Sequence, residues 1–233
     1  MHIVITRPKE DSLYLMENLI KLGHTVTHLP VIKIEKLQTE KINLLNYQAV
    51  IFTSSNAIRF MDIEKFNSKI KCFCVGKATE FTARQIGFLN THTSEGSVDS
   101  LIELIKRTLD NKSKKLLYLS SEFISKDLDK DLIRAGYSVD RISNYTSSPV
   151  KEIDKKTLDF FEKKPPDVIF IYSSKSAKNL FKLINKYSLL NVVTQSNLMC
   201  ISEKGLLVLK QIKWKKVFVF SPGEEEFLLN KIR

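Results

Sequence analysis

The feature that most limits what this chain can fold into is an alternation. Short runs rich in β-branched and aromatic residues recur from one end to the other, separated by stretches whose apolar residues have helical spacing. The runs cover 2–6, 25–34, 49–54, 72–76, 116–121, 139–145, 167–174, 198–202 and 216–221. Several, such as Leu116-Leu117-Tyr118-Leu119, are continuously apolar, which suits strands covered on both faces of a parallel sheet. Between them, residues 9–22 place Leu13, Met16, Leu19, Ile20 and Leu22 on a broad stripe, and Gly23 follows as a stop. Residues 77–86, 97–109, 125–135 and 175–187 read the same way. Strand–helix alternation of this kind predicts βαβ units, hence an α/β chain built on doubly wound parallel sheets. Its 233 residues suffice for two domains of roughly 100 each.

An internal repeat supports two halves. The segment Val50-Ile51-Phe52-Thr53-Ser54-Ser55-Asn56-Ala57 resembles Phe170-Ile171-Tyr172-Ser173-Ser174-Lys175-Ser176-Ala177, and each ends a strand and opens a helix. Cys74-Val75-Gly76 is echoed by Cys200-Ile201-Ser202, and Ser94-Glu95-Gly96 by Ser221-Pro222-Gly223. The three echoes keep the same order along the chain, which chance matches would not.

In an open parallel sheet, ligands bind outside the carboxyl ends of the strands. Thr53, Ser54, Ser55 and Asn56 stand at one such end, and Ser173, Ser174, Lys175 and Ser176 at its counterpart. A hydroxyl at a helix start also caps unpaired backbone N–H groups, and for a single serine that is the simpler role. These clusters hold more hydroxyls than capping needs, and helix N-termini attract carboxylates and phosphates. Gly76-Lys77-Ala78-Thr79, Ser94-Glu95-Gly96 and Ser120 add further strand-end loops.

Other chemistry is disfavoured. GxGxxG, GxxxxGK[ST] and GxSxG are absent, against dinucleotide, P-loop and α/β-hydrolase readings. Cys72 and Cys74 share a strand face, Cys200 lies elsewhere, and His2, His24, His28 and His92 are scattered, so neither a disulfide nor a metal site is expected. No run approaches the roughly 18 apolar residues of a membrane span. Met1–Pro8 runs straight into a strand, and the expected location is the cytoplasm. The formal charge of +11 favours an anionic partner, although lysine-rich composition alone produces such a value.

Taken in order, these segments resemble the uroporphyrinogen-III synthase family over essentially the full length. The resemblance is carried by Ile5-Thr6-Arg7-Pro8, Phe52–Ile58, Val75–Thr79 leading to Gly87, and Ser94-Glu95-Gly96. It continues through Leu132–Val139, Asn144-Tyr145-Thr146 and Tyr172–Ala177. It implies two α/β domains: 1–34 with 150–233 as one discontinuous domain and 37–141 as the other, joined by connecting strands at 31–36 and 142–149. It further implies a cofactor-free hydro-lyase, acting as a monomer on hydroxymethylbilane rather than on nucleic acid or membrane. That substrate, an octacarboxylate, loses water and closes through a spiro intermediate with its last pyrrole inverted. By resemblance, Thr53–Asn56, Gly76–Thr79, Ser94–Gly96, Ser120, Ser173–Ser176 and Ser202 bind substrate, and Tyr145 matches the tyrosine considered as an aid to hydroxyl departure.

Two departures stand out. Ser202-Glu203-Lys204-Gly205 replaces the usual Gly-x-x-Thr turn, and Ser221-Pro222-Gly223 replaces a Pro-Thr pair. They leave open a noncatalytic tetrapyrrole- or anion-binding protein of the same fold. A nucleic-acid binder would rest on charge alone, without basic residues interleaved with aromatics.

Overall fold

Several of the apolar runs become strands buried along their whole length, as in Val168–Ile171 and Ala49–Phe52. The computed structural model describes residues 1–110, 114–221 and 223–231. The chain opens with β1 (His2–Ile5), α1 (Lys9–Lys21), β2 (Thr25–His28) and β3 (Ile32–Lys36). There follow β4 (Ile42–Asn43), a 3-10 turn at Leu44–Asn46, β5 (Ala49–Phe52), α2 (Ser55–Arg59), β6 (Ile63–Lys65), β7 (Lys71–Val75) and α3 (Gly76–Gln85). Next come β8 (Asn90–Ser94), α4 (Val98–Thr108), β9 (Leu116–Ser121), α5 (Leu128–Arg134) and the long β10 (Val139–Pro149). The chain ends with α6 (Lys155–Lys163), β11 (Val168–Ile171), α7 (Ser174–Lys186), α8 (Leu190–Val193), β12 (Asn197–Cys200), α9 (Glu203–Leu209), β13 (Lys216–Val219) and α10 (Glu225–Lys231).

Contacts divide the chain into a terminal unit, Met1–Lys33 with Ser148–Arg233, and a middle unit, Ile34–Ser147. The chain passes between them within β3 and again within β10. The terminal unit holds a five-stranded sheet of order β13-β12-β11-β1-β2. The middle unit is built on a sheet of order β3-β10-β9-β5-β7-β8, with β4 and β6 as a separate pair. Strands β3 and β10 run antiparallel, since Leu37 N–H donates to the Asn144 carbonyl while Val150 N–H donates to the Val31 carbonyl. The other ladders of both sheets are parallel. The two orders correspond strand for strand: β9-β5-β7-β8 matches β1-β11-β12-β13. Each order reverses once, between β5 and β9 and between β11 and β1, and such a reversal point opens a crevice at the carboxyl strand ends.

Burial on both faces explains the continuous apolar runs. Val50, Phe52, Cys72, Cys74, Leu117 and Leu119 point into one cluster of the middle unit. Their neighbours Ala49, Ile51, Phe73, Leu116 and Tyr118 point into another, under α4 and α5. Period-two alternation thus fills two layers from the same strands. In the terminal unit Ile3, Ile5, Phe170 and Met199 pack with Leu15 and Leu19 of α1.

Some elements differ from the sequence expectation. Residues 25–34 form two strands, because Pro30 has no amide to continue the ladder and the chain leaves the β1 edge after Val31. Helix α1 buries Ser12, Leu15 and Leu19, while Leu13, Ile20 and Leu22 are exposed. Ser12 fits that face because its hydroxyl donates to the Pro8 carbonyl at 2.8 Å. Strand β8 is an edge strand of sequence Asn90-Thr91-His92-Thr93-Ser94, too polar to register as a buried run. Among the described residues no helix is long and apolar enough to cross a membrane.

Candidate functional site

Register brings the middle unit's strand ends to one level. Phe52 pairs with Leu119 on one side and Cys74 on the other, and Val75 pairs with Ser94. The residues that follow, Thr53–Asn56, Gly76–Thr79, Ser94–Gly96 and Ser120, therefore share one sheet edge. The loops are bonded to each other. The Ser55 hydroxyl donates to the Ala78 carbonyl at 3.2 Å, and Thr53 Oγ1 lies 3.3 Å from the Tyr118 hydroxyl.

Single serines carry the capping. Ser54 accepts from the Asn56 N–H at 3.2 Å, Ser173 from the Ser176 N–H at 3.0 Å, and Ser202 from the Gly205 N–H at 3.3 Å. The residues of these loops differ in access. Thr79, Ser94, Ser120 and Ser176 are buried, whereas Thr53, Ser54, Ser55, Asn56, Gly76, Ser173, Ser174 and Ser202 are half-buried. Lys77, Ala78, Glu95, Gly96 and Lys175 are exposed at the rim.

Arg141, on β10, was not singled out by sequence. Its Nε donates to Ser120 Oγ at 2.9 Å, and one Nη donates to the Ser121 and Glu122 carbonyls, each at 3.0 Å. It braces the end of β9, and Ser120 donates onward to the Ser121 carbonyl at 3.0 Å. Its signal was a lone arginine in a strand, legible only once Tyr118 is known to lie opposite.

Tyr145 follows a register irregularity in the β10–β9 ladder, between Ser143 and Tyr145. Such a bulge re-aims the side chains beside it. The Tyr145 ring turns into the apolar cluster of Phe52, Ala57 and Ile58 and lies 6.5 Å from the Phe60 ring. Beside it, the buried Asn144 amide donates to the Ala57 carbonyl at 2.7 Å, tying β10 to the first turn of α2.

The terminal unit repeats the arrangement with one change. Ile171 pairs with Cys200 and Cys200 with Val219, so Ser173–Ser176, Ser202 and Ser221 follow strands ending at one level. Pro222 lies outside the described residues. Gly76 has φ +74° with open space where a Cβ would sit, so glycine serves the backbone there. Its counterpart Ser202 has φ −159°, an ordinary extended N-cap. The second loop of the terminal unit thus has a different backbone, not merely a different side chain.

The cysteines are core residues. Cys72, Cys74 and Cys200 are free and buried. The neighbouring Cys74 thiol and burial push Cys72 up, and burial pushes Cys200 up to about 12, so neither is a ready nucleophile. Among the described residues no three His, Cys, Asp or Glu side chains assemble as a metal site. A hollow at Pro165, Asp167, Gln195 and Lys215 lies at the amino ends of β11, β12 and β13, away from the strand-end loops.

A family model described as uroporphyrinogen-III synthase HemD matches residues 15–224, nearly the whole chain. The chain belongs to the uroporphyrinogen-III synthase family. Within that family it is similar to a porphyrin biosynthesis protein HemD of Ruminiclostridium josui, 26% identical over 169 residues. That match takes in 66% of this chain and 33% of the relative, so the chain spans about a third of the relative's length. The fold resembles that of a uroporphyrinogen-III synthetase from Helicobacter pylori, with a TM-score of 0.62 and 17% identity, covering 100% of this chain and 99% of the other. It also resembles a mutant uroporphyrinogen III synthase from Thermus thermophilus, with a TM-score of 0.55 and 15% identity over 100% and 98% of the two chains. At such identities the likeness concerns the fold.

Proposed function

We propose that this member of the uroporphyrinogen-III synthase family catalyses the cyclisation for which the family is named. It takes hydroxymethylbilane, releases water, and closes the macrocycle through a spiro intermediate with the last pyrrole inverted. The observation that carries the reading is the family match over residues 15–224, on a chain whose register lines up Thr53, Gly76, Ser94 and Ser120 on one sheet edge.

The chemistry agrees with that edge. Hydroxymethylbilane closes spontaneously to the uninverted isomer, so the enzyme's task is to hold one conformation and steer it. Positioning of this sort can supply several kcal/mol of a barrier, roughly 7–11 in favourable cases. Neutral hydroxyls and backbone N–H groups can grip carboxylates without drawing protons from the pyrroles. The charge of +11 raises the local concentration of an octacarboxylate. In this reading Thr53–Asn56, Gly76–Thr79, Ser94–Gly96, Ser120, Ser173–Ser176 and Ser202 bind substrate, and Tyr145 assists hydroxyl departure. The working form is a cytoplasmic monomer serving a small-molecule substrate, not nucleic acid or a membrane.

The extended backbone at Ser202 favours one rival, a protein that binds the octacarboxylate without turning it over. An assay that feeds freshly made hydroxymethylbilane and resolves the products separates the two. The synthase reading expects the type III isomer at a rate set by protein concentration. Type I product alone would overturn it.

A further inference from the structure

The terminal unit reverses its strand order between β11 and β1, and the residues leaving those strands are Tyr172 and Thr6-Arg7. The backbone here is pinned. The buried Thr6 hydroxyl donates to the Phe170 carbonyl at 2.5 Å. The Arg7 carbonyl accepts from the Ser12 hydroxyl at 3.2 Å and lies 3.0 Å from His28 Nε2. From that anchor the Arg7 guanidinium lies 4.5 Å from the centre of the Tyr172 ring, a cation–π contact. The ring is itself fixed, stacked 6.3 Å from Phe170 and edge-on 5.7 Å from Phe220.

Two polar atoms at this point lack partners: Arg7 Nε and the Tyr172 hydroxyl are both buried without a hydrogen bond. Leaving a buried donor unmade costs about 1–3 kcal/mol, so such a pair calls for an occupant. Both are donors. Burial, and to a lesser degree the Glu225 carboxylate, push the Tyr172 phenol up against the opposing charge of Arg7, so it keeps its proton at working pH. Two donors at a reversal point call for an acceptor. Arg141 in the middle unit makes the contrast plain, because its Nε and one Nη are spent on Ser120, Ser121 and Glu122.

We propose that Arg7 and Tyr172 form an anion-binding pair that takes one carboxylate of the tetrapyrrole substrate, Arg7 through its guanidinium and Tyr172 through its hydroxyl. Arg7 is only half-buried, so its side chain is not sealed inside the core. The inference rests on the synthase reading above, and it adds residues that the strand-end hydroxyls do not include.

The test measures steady-state conversion of hydroxymethylbilane, and equilibrium binding of the stable octacarboxylate uroporphyrin III, for the unaltered protein and for Arg7→Gln, Arg7→Lys and Tyr172→Phe. Arg7→Gln should raise KM and the porphyrin Kd about tenfold, with less change in kcat and a shallower salt dependence. Arg7→Lys should recover part of the loss, and Tyr172→Phe, which keeps the ring, should raise both constants about threefold. Unaltered KM and Kd in folded Arg7→Gln and Tyr172→Phe would overturn the pair while leaving the synthase reading standing. If Arg7→Gln fails to fold, Tyr172→Phe decides alone. An unaltered protein that neither binds the porphyrin nor converts the bilane would overturn both.

Discussion

At the scale of single residues, Tyr145 carries the sharpest chemical question. Tyr145 is 7% exposed and its ring packs in the cluster around Phe52 and Ile58. Tyr145→Phe keeps that packing and removes only the hydroxyl. If the phenol aids departure of the substrate hydroxyl, kcat should fall about 100-fold, in the range of general acid catalysis. Stability should change by no more than the roughly 1 kcal/mol of one hydrogen bond. Stopped assays with a parallel thermal melt decide it, and unchanged turnover would leave Tyr145 a packing residue. Residues such as Thr53 and Ser173 could be placed at strand ends from sequence, since each follows an apolar run. Their partners could not. That Thr53 faces the Tyr118 hydroxyl depends on β9 lying beside β5, a pairing made 65 residues away.

At the scale of elements, the strand-end loops do two jobs, and the serines divide them. Ser173 caps the 13-residue α7, and Ser174 is the helix's first residue. Ser173→Ala should cost about 1 kcal/mol, as N-cap losses do, whereas Ser174→Ala should stay within about 0.5 kcal/mol. Urea titrations of the two variants test this, and equal losses would refute the division. The caps were legible because a Ser before a helical run is a local signal. The length of α1's buried face was not, because Ser12 reaches inward by bonding the Pro8 carbonyl, a choice the hydrophobic spacing does not record. Strand β8 escaped for a related reason: an edge strand needs only one neighbour, and Asn90–Ser94 meets that need with few apolar residues.

At the scale of the whole molecule, each unit contains a histidine whose charged form burial disfavours. His2 is fully buried, its Nδ1 2.8 Å from the Lys164 carbonyl and its Nε2 2.8 Å from Thr27 Oγ1, and burial lowers its pKa. In the middle unit His92 stacks on Phe73 and is lowered by burial and by Lys71. Below the ordinary histidine value of about 6.5 the unfolded chain binds protons that the folded chain refuses. Stability should therefore be level above about pH 7 and fall as the pH drops from 6.5 towards 5, by at most roughly 1.4 kcal/mol per pH unit for His2. Denaturation midpoints across that range test it, and His2→Gln with His92→Gln should flatten the profile. A midpoint indifferent to pH in this window would contradict the assignment.

The strand–helix alternation and its parallel, two-faced burial could be read from residue order, because a period of two or of about 3.6 and the placement of Ser, Gly and Pro are local properties of the backbone. The neighbourhood of the strand-end loops could not be read that way. Which strand lies beside which, where the order reverses, and whether an arginine is spent on carbonyls, as Arg141 is, or left with a donor unpaired, as Arg7 is, depend on ladders closed between distant segments. Those ladders form only when the layers on both faces of each sheet are packed, and packing is a property of the folded unit.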